Sequence, residues 1–538
     1  MHDHQQSPAK AGREAWIGLG AISLGVALVV IDFTIVNVVM PSIIDDLAIT
    51  SVDAQWIQES YAIILAALLL LVGRLSDRWG ARRLFLVGSA LFAVASVAAA
   101  LSPGAETLIL SRAAQGVGGA LVLPTSLSLI NATFHGADRA KAFAVWGSTI
   151  GAGAAVGPLL GGWLAEISWR WAFGINIVLI VVILLAVGRF VGEAAIERQR
   201  IDVLGGVLSV AGLGLLAFGL VEGRSYGWLT ALLPGPFGIE LGAVSVIPVV
   251  LGCSATALAA FVVRQRALTA SGGSPLMDTR LFSIRSFSTG NVASFVIGVA
   301  EFGLLAVLPL WLHYTLGYSA VQTGLVIVVV ALGSFVASGA SFGVAERTSA
   351  ITLVRIGLVL EALGLLLFAV VARSDSGWLG VSLALAVYGA GVGLATAQVT
   401  NVVLAEVPQR LAGQGSGVQS TARQLGSALG IAVLTSTFFI AFASDLTDRL
   451  DRQGAPRPAT TADGIADSAG AAIAGLEADP ATQALAEASR EAMTFAIQVN
   501  GYASALLLLV GLAVTFLIPS VAGPSPAARE EAPADQNA

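Results

Sequence analysis

Long apolar runs separated by short polar or basic stretches recur along almost the whole 538-residue chain. A helix needs roughly 20 apolar residues to cross a hydrocarbon core of about 30 Å. Fourteen runs qualify, at 16–40, 55–73, 84–101, 107–130, 140–165, 171–188, 203–221, 237–263, 289–314, 321–343, 352–371, 378–404, 417–443 and 493–518. Lipid offers the backbone no hydrogen-bond partners, so each span must satisfy its own; the pattern predicts helices and an all-α integral membrane fold. The first run is too long for a secretory signal core and lacks a clear small-residue cleavage site, so it is expected to remain as a span.

Composition agrees, with 56% hydrophobic and 12% charged residues and a mean hydropathy of +0.84. Short loops rich in Lys and Arg stay cytoplasmic. Arg74, Arg78, Arg82 and Arg83 follow the second span, Arg139 and Lys141 the fourth, Arg189, Arg198 and Arg200 the sixth, and Arg264, Arg266, Arg280 and Arg285 the eighth. The intervening short loops hold Arg170, Arg224 and Arg373. Both termini are therefore expected in the cytoplasm, with the chain in the cell inner (plasma) membrane. The net charge of −6 comes partly from acids in loops and in the tail, and nothing in the pattern points to nucleic acid. The single cysteine, Cys253, excludes an internal disulfide, and His2, His4, His135 and His313 lack metal-ligand spacing, so no metal is expected. No Gly-x-x-x-x-Gly-Lys-Ser/Thr loop occurs, so no ATP or other cofactor is expected.

The runs divide six, two, six. This gives a cytoplasmic tail at 1–15, a six-helix bundle at 16–188, two additional spans with flanking loops at 189–287, a second six-helix bundle at 288–518, and a tail at 519–538 whose composition reads as disordered. The division suggests an internal repeat, and GRLSDRWGARR at 73–83 has a weaker echo in GVAERTSA at 343–350. Repeats of this kind place a substrate site between the halves near the midplane. Residues 444–491 fall on the external side by parity, with 482–490 reading as helix and the proline-bearing 452–458 as loop. That segment is either a cap over an exit or an insertion of the sort surface loops tolerate.

Small residues and a few ionisable ones narrow the chemistry. The segment 147–164, GSTIGAGAAVGPLLGGWL, carries two glycine ladders, Gly147 to Gly151 and Gly153 to Gly157 to Gly161, together with Gly162 and Pro158. Small residues at four-residue spacing let membrane helices approach closely, and Pro158 removes a helix hydrogen bond. A smooth, bendable helix suits a part that slides against its neighbour, as in a transporter; a tightly packed span has the same pattern. Ionisable groups in hydrocarbon are costly and tend to line pathways. Asp32 in the first span and Arg112 in the fourth lie at depths that can match, as a fixed structural pair or as a working one. Glu301 sits mid-span with no neighbouring base apparent; buried alone it would keep its proton, or it could pair with a cationic substrate. Glu361, deep in the eleventh span, is a weaker analogue that could equally be buried against a neighbour. Arg355 is near enough to a span end to snorkel, Glu59 lies near the outer interface beside Trp56, and Arg423 could be a hinge contact. Tyr61, Phe302, Trp311 and Tyr388 could offer π-faces to a cation or act as interfacial anchors.

Four segments together resemble the major facilitator superfamily and, within it, the fourteen-span drug/proton antiporters. IDFTIVNVVMP at 31–41 is similar to that family's first-span segment, GRLSDRWGARR to its loop after span 2, LILSRAAQGVGGA at 108–120 to its span-4 motif, and the glycine-ladder helix to its antiporter motif. WRWAFGIN at 169–176 and IDVLGG at 201–206 further resemble the fourteen-span branch. The resemblance implies two six-helix bundles plus two added central helices, and proton-driven export of quaternary ammonium biocides, dyes and antibiotics. It makes Gly73, Asp77, Arg78, Gly80, Arg82 and Arg83 a gating loop. Some biocide pumps of this kind carry an acid in the span corresponding to 321–343; none occurs here, which counts against divalent-cation export.

The reading that follows is a monomeric exporter of lipophilic, cationic compounds in exchange for protons. Asp32 would face Arg112 in one state and an apolar cavity in the other, releasing and taking up a proton, with Glu301 and Glu361 as further candidates. Export of an endogenous lipid, siderophore or self-made antibiotic is the alternative within transport. A membrane lipid-modifying enzyme is the alternative from another class, but the acids are scattered over separate spans instead of clustering at one membrane face.

Overall fold

The structure, a computed structural model, describes residues 12–193, 200–223, 225–232, 235, 241–344, 348–468 and 470–518. The expectations for the 519–538 tail, most of the 1–15 tail, Arg198, Arg224 and the centre of the 343–350 echo lie outside the described residues. The helices are α1 (Arg13–Leu47), α2 (Ser51–Trp79), α3 (Ala81–Ala100), α4 (Ala105–Thr133), α5 (Gly136–Ala165), α6 (Arg170–Phe190), α7 (Val203–Glu222), α8 (Ile247–Ala270), α9 (Arg285–Tyr314), α10 (Ala320–Val344), α11 (Ala350–Val371), α12 (Trp378–Val403), α13 (Ala412–Arg452), α14 (Pro458–Asp467), α15 (Ala472–Glu477) and α16 (Gln483–Thr515). Among the described residues, fourteen of them, α1 to α13 and α16, are long and apolar enough to cross a membrane.

Three predicted boundaries move furthest. The eighth span begins at Ile247, ten residues later than the apolar run, because Thr230 pairs with Val244 in an isolated β-bridge and the Ser245 N–H is taken by the Leu229 carbonyl instead of by a helix. Pro248 then occupies the first turn of α8, where its missing N–H leaves nothing unsatisfied. The thirteenth span continues to Arg452, and the fourteenth begins at Gln483. The segment between them folds as α14 and α15 over buried Leu446, Leu450, Ile465 and Ile473. Ion pairs Arg449–Asp445 at 2.5 Å, Arg490–Glu477 at 3.2 Å and Arg449–Glu491 close it.

Helices α1 to α6 pack on one another, as do α9 to α13 with α16. The two groups meet where α2 and α4 cross α13 and where α5 lies against α10 and α12. The α7–α8 hairpin rests on α2, with α7 also touching α13.

The hairpin's attachment explains IDVLGG. Asp202 caps α7, accepting from the Gly205 N–H at 3.0 Å, from Arg264 Nε at 2.8 and 3.0 Å, and from Gln265 Nε2 at 2.9 Å. A Cβ on Gly205 would meet Gln265 Nε2 at 2.5 Å, so only glycine fits beneath this cluster. Gln265 Oε1 in turn accepts from the Leu276 and Met277 N–H groups, and the Asp278 N–H donates to Gln414 Oε1 at 2.8 Å in the first turn of α13. The hairpin, the linker after it and the start of α13 are thus one hydrogen-bonded unit.

Burial alone would raise the Asp202 acid, but the donors from Arg264, Gly205 and Gln265 outweigh it and hold the group below the usual carboxylate range. A depressed folded-state value means stability that is present above the ordinary range, about 3.9, and lost as the pH falls through the folded value. Asp202→Ala should therefore lower the melting temperature near neutral pH, with a loss of about 0.5–2 kcal/mol typical of an N-cap, and should flatten its acid-side decline. Scanning fluorimetry in detergent across pH checks both; a parallel decline in variant and parent would contradict the capping role.

Candidate functional site

Asp32 on α1 is wholly buried inside the first bundle (0% exposed); the residues that bond it come from α4 and α6, and α2 and α3 hold those in turn. Arg112 on α4, 1% exposed, makes an ion pair with Asp32 Oδ2. Gln115 Nε2, three residues further along α4 and so on the same face, donates to Oδ1 at 3.0 Å, and Asn176 Nδ2 on α6 donates at 2.6 Å. Both amides also reach Ser96 Oγ on α3, at 2.9 and 3.2 Å. Arg112 is held in turn by the Ile57 carbonyl at 3.1 Å, by Gln115 Oε1 at 2.8 Å and by the Tyr61 ring on α2, 4.4 Å from its guanidinium carbon. Every polar contact on Asp32 is a donor. Donors on both oxygens are what a carboxylate accepts.

The span-4 glycines make this convergence fit. A Cβ on Gly116 would lie 2.7 Å from the Tyr61 carbonyl oxygen, and one on Gly118 2.9 Å from the Gly88 carbonyl oxygen of α3. Helix α4 therefore sits backbone to backbone against α2 and α3.

The second bundle holds a related cluster, and it corrects the expectation that Glu301 lacks a base. Arg423 Nη2 on α13 lies 3.0 Å from Glu301 Oε2 on α9, and Thr396 Oγ1 on α12 donates to Oε1 at 2.7 Å. Small residues bring these helices together: a Cβ on Gly298 would lie 2.8 Å from the Arg423 carbonyl oxygen, and Gly426 and Gly430 lie against the carbonyls of Phe295 and Val299. Arg423 is an ion-pair partner, beyond the hinge contact expected of it. Its span and that of Glu301 start at the same end of the molecule, and that shared direction was the available signal.

The two ladders of α5 face opposite ways. Gly147 and Gly151 meet Ala397 of α12 and Ser334 of α10 in the other bundle, where a Cβ would come within 2.7 and 3.2 Å. Gly153, Gly157 and Gly161 lie on α1, against the Ala27 and Ile31 carbonyls, Thr34 and Ile35. Asp32 stands between Ile31 and Thr34, so α1 and α5 touch beside the ion pair. Gly162 faces open space in a cleft of about 220 Å³ lined by Pro158, Leu159, Trp163, Glu166 and Val321.

At the end bearing the loop after α2, the bundles are sealed. Asp77 accepts from the Gly413 and Gln414 N–H groups at 2.6 and 3.0 Å, capping the first turn of α13 where a helix favours an anion. A Cβ on Gly73 would lie 2.5 Å from the Gly413 carbonyl oxygen and 2.8 Å from Gly417 Cα, so the same turn needs glycine on both sides. Gly80 has φ +93° and lies against Glu193, a backbone conformation that suits glycine alone. Arg82 donates to the Val187 carbonyl at 3.4 Å and to that of Gly188, Arg83 lies 3.8 Å from Glu193, and Arg78 closes the last turn of α2. On α5, Arg139 Nη2 donates to the Asn401 carbonyl at 3.2 Å.

The aromatic candidates are placed differently from the expectation of open π-faces. Tyr61 is buried, its hydroxyl donating to the Val29 carbonyl at 3.1 Å and its ring taken by Arg112. Trp311 is buried edge-on to Phe368, its N–H on Thr494 Oγ1 at 3.1 Å. Tyr388 donates to the Glu301 carbonyl at 3.3 Å, and Phe302 is partly buried. Packing inside the bundles claims the first three. Arg355 reaches the Thr515 carbonyl at 3.0 Å and stacks on Phe516 at the end of α16. Glu59 shares the Gln55 amide with Glu222 of α7, at 2.9 and 2.8 Å. Ser96, Gln115, Asn176 and Thr396 were not singled out from sequence, although Gln115 and Asn176 stand within the segments 108–120 and 169–176.

The family model described as Major Facilitator Superfamily matches residues 22–431. The multidrug efflux pump LfrA of Mycolicibacterium smegmatis is 32% identical over 520 residues, covering 94% of this chain and 97% of that protein. The multidrug resistance protein Stp of Mycobacterium tuberculosis (strain CDC 1551 / Oshkosh) is 31% identical over 443 residues, covering 82% and 79%. A tetracenomycin C resistance and export protein of Streptomyces glaucescens is a further relative. The crystal structure of the human organic anion transporter MFSD10 has the same fold at 15% identity, with a TM-score of 0.60 over 95% of this chain and 100% of that one.

If Asp77 holds the sealed end shut, Asp77→Asn should open it more often. A charged cap at a helix N-terminus contributes about 1 kcal/mol, or roughly a fivefold change in population. Maleimide labelling of a cysteine introduced at Ser128, in a Cys253→Ser background, should rise by about that factor; unchanged labelling would count against the gate.

Proposed function

Because the chain belongs to the Major Facilitator Superfamily, we propose that it is a proton-driven exporter of lipophilic, preferentially cationic compounds. It works as a monomer by alternating access in the inner (plasma) membrane, with the Asp77 end and both termini in the cytoplasm. The observation that carries this reading is the buried Asp32–Arg112 pair, a titratable carboxylate contacted by donors and set beside the glycine-packed α1–α5 seam. Its relatives' names as multidrug efflux pump and multidrug resistance protein favour export over uptake.

The cycle follows from the charges. With the Asp77 end sealed, Asp32 is ionised and neutralises Arg112. A proton arriving from the opposite side removes that neutralisation. Stranding one member of a buried pair costs about 3–5 kcal/mol, close to the roughly 5.5 kcal/mol that carries a two-state equilibrium from 1:99 to 99:1. Protonation is therefore strong enough to drive rearrangement of the first bundle.

Helix α1 passes that strain to α5 through Gly153, Gly157 and Gly161, and the Gly147–Gly151 face of α5 passes it to the second bundle. The units 16–188 and 288–518 then rock about the seam while the Asp77 cap on α13 releases. In the cytoplasm-facing state a lipophilic cation favours the ionised carboxylate and expels the proton, so the two ligands exchange. Arginine cannot take the proton at any physiological pH, so Arg112 acts only as the fixed counter-charge.

Reconstituted into vesicles with an imposed pH gradient, the protein should move a cationic dye such as ethidium against its concentration gradient. Asp32→Asn should abolish gradient-driven accumulation while dye binding persists. Accumulation by Asp32→Asn equal to the parent would overturn the assignment.

A further inference from the structure

One buried acid in the second bundle is left over by that cycle. Glu361 on α11 is 0% exposed, and both of its carboxylate oxygens are buried without a hydrogen-bond partner. Its surroundings leave it little freedom. A Cβ on Gly391 would lie 2.6 Å from Glu361 Cγ, and one on Gly357 would lie 2.6 Å from the Ala395 nitrogen, so the same helix pair approaches backbone to backbone. The charged and titratable groups that face Glu361 are Glu301 of α9, Arg423 of α13 and the Tyr388 hydroxyl of α12.

These groups do not balance as ions. One guanidinium neutralises one carboxylate, and Arg423 is already paired with Glu301 at 3.0 Å. A second bare carboxylate without donors would be an isolated buried charge, which proteins avoid by keeping the proton on the acid. Arg423 is 14% exposed on its side chain against 4% for Glu301, so the guanidinium is the less enclosed member of the pair.

Taking the proton-coupled reading above as its basis, we propose that Glu361, Glu301 and Arg423 form a second proton site, in which two carboxyls and one guanidinium hold a single exchangeable proton. In the present arrangement Glu361 carries it and Glu301 is the partner of Arg423. When α13 moves and Arg423 turns to Glu361, the O–H bond of Glu361 breaks and one forms on Glu301; the total charge of the three groups is unchanged. The proton then sits on the acid next to Thr396 and the departing arginine, from which it can leave. The second bundle thereby carries its own proton, and each export cycle uses one proton more than Asp32 alone supplies.

Infrared difference spectra of the protein in lipid, in H2O and D2O, read the proton directly. The parent should show a protonated-carboxyl C=O band at neutral pH that Glu361→Gln lacks. Glu301→Gln should also lack it, because Arg423 would then claim Glu361 as its only counter-ion; a residue that merely packs there would keep its proton. A parent-minus-variant difference spectrum with no such band, for either substitution, overturns the site; any band from the Glu59–Glu222 pair cancels in that difference. Because glutamine mimics the neutral acid, Glu361→Gln should still fold and transport. With the membrane potential clamped, its final accumulation should fall by about tenfold for each unit of pH gradient, the worth of one proton. Equal accumulation by parent and variant would overturn the extra proton. Failure of the parent to respond to any gradient would instead count against the Asp32 mechanism, and the infrared band would still decide the state of Glu361.

Discussion

The ion pair between Asp32 and Arg112 is the constraint around which the first bundle is arranged. Two opposite charges withdrawn from water are tolerated only with near-complete hydrogen bonding, and five helices contribute to it. The apolar spans could be shuffled with modest loss, but the positions of Gln115, Asn176, Ser96 and Tyr61 could not. The glycines of α4 and α5 serve the same end: they bring backbones close enough for short polar side chains to reach across. Packing and electrostatics are thus one design, since a wider helix spacing would leave the pair without its donors.

The same logic repeats with different residues in the second bundle, where α9 and α13 close on Gly298, Gly426 and Gly430 and so place Arg423 on Glu301. The two bundles are joined at the sealed end by a contact of another kind, the Asp77 carboxylate on the open N–H groups of α13. The neighbouring N–H network reaches through Gln414 and Asp278 to the α7–α8 hairpin. The additional pair of helices is therefore tied to the element that must move if the sealed end opens.

Much of this was legible in the sequence because membrane helices are specified by length and apolarity, which are local properties. The fourteen spans and the two glycine faces of α5 could be read that way, and the Asp32–Arg112 pairing followed from depth along two spans. What escaped depends on rotation about helix axes and on pairing between distant segments. Arg423 and Glu301 are 122 positions apart, and nothing local announces their contact. Tyr61 and Tyr388 look like cation-binding aromatics until the fold shows their hydroxyls on backbone carbonyls. The eighth span slipped because apolar residues before Ile247 are hydrogen-bonded in a loop, which hydropathy does not register.

Exchange at Asp32 is the central claim, and proton release on substrate binding tests it most directly. Addition of a lipophilic cation to the purified, weakly buffered protein should release protons to a pH indicator, and Asp32→Asn should release one fewer per molecule bound. Equal release from parent and variant, at equal binding, would contradict it.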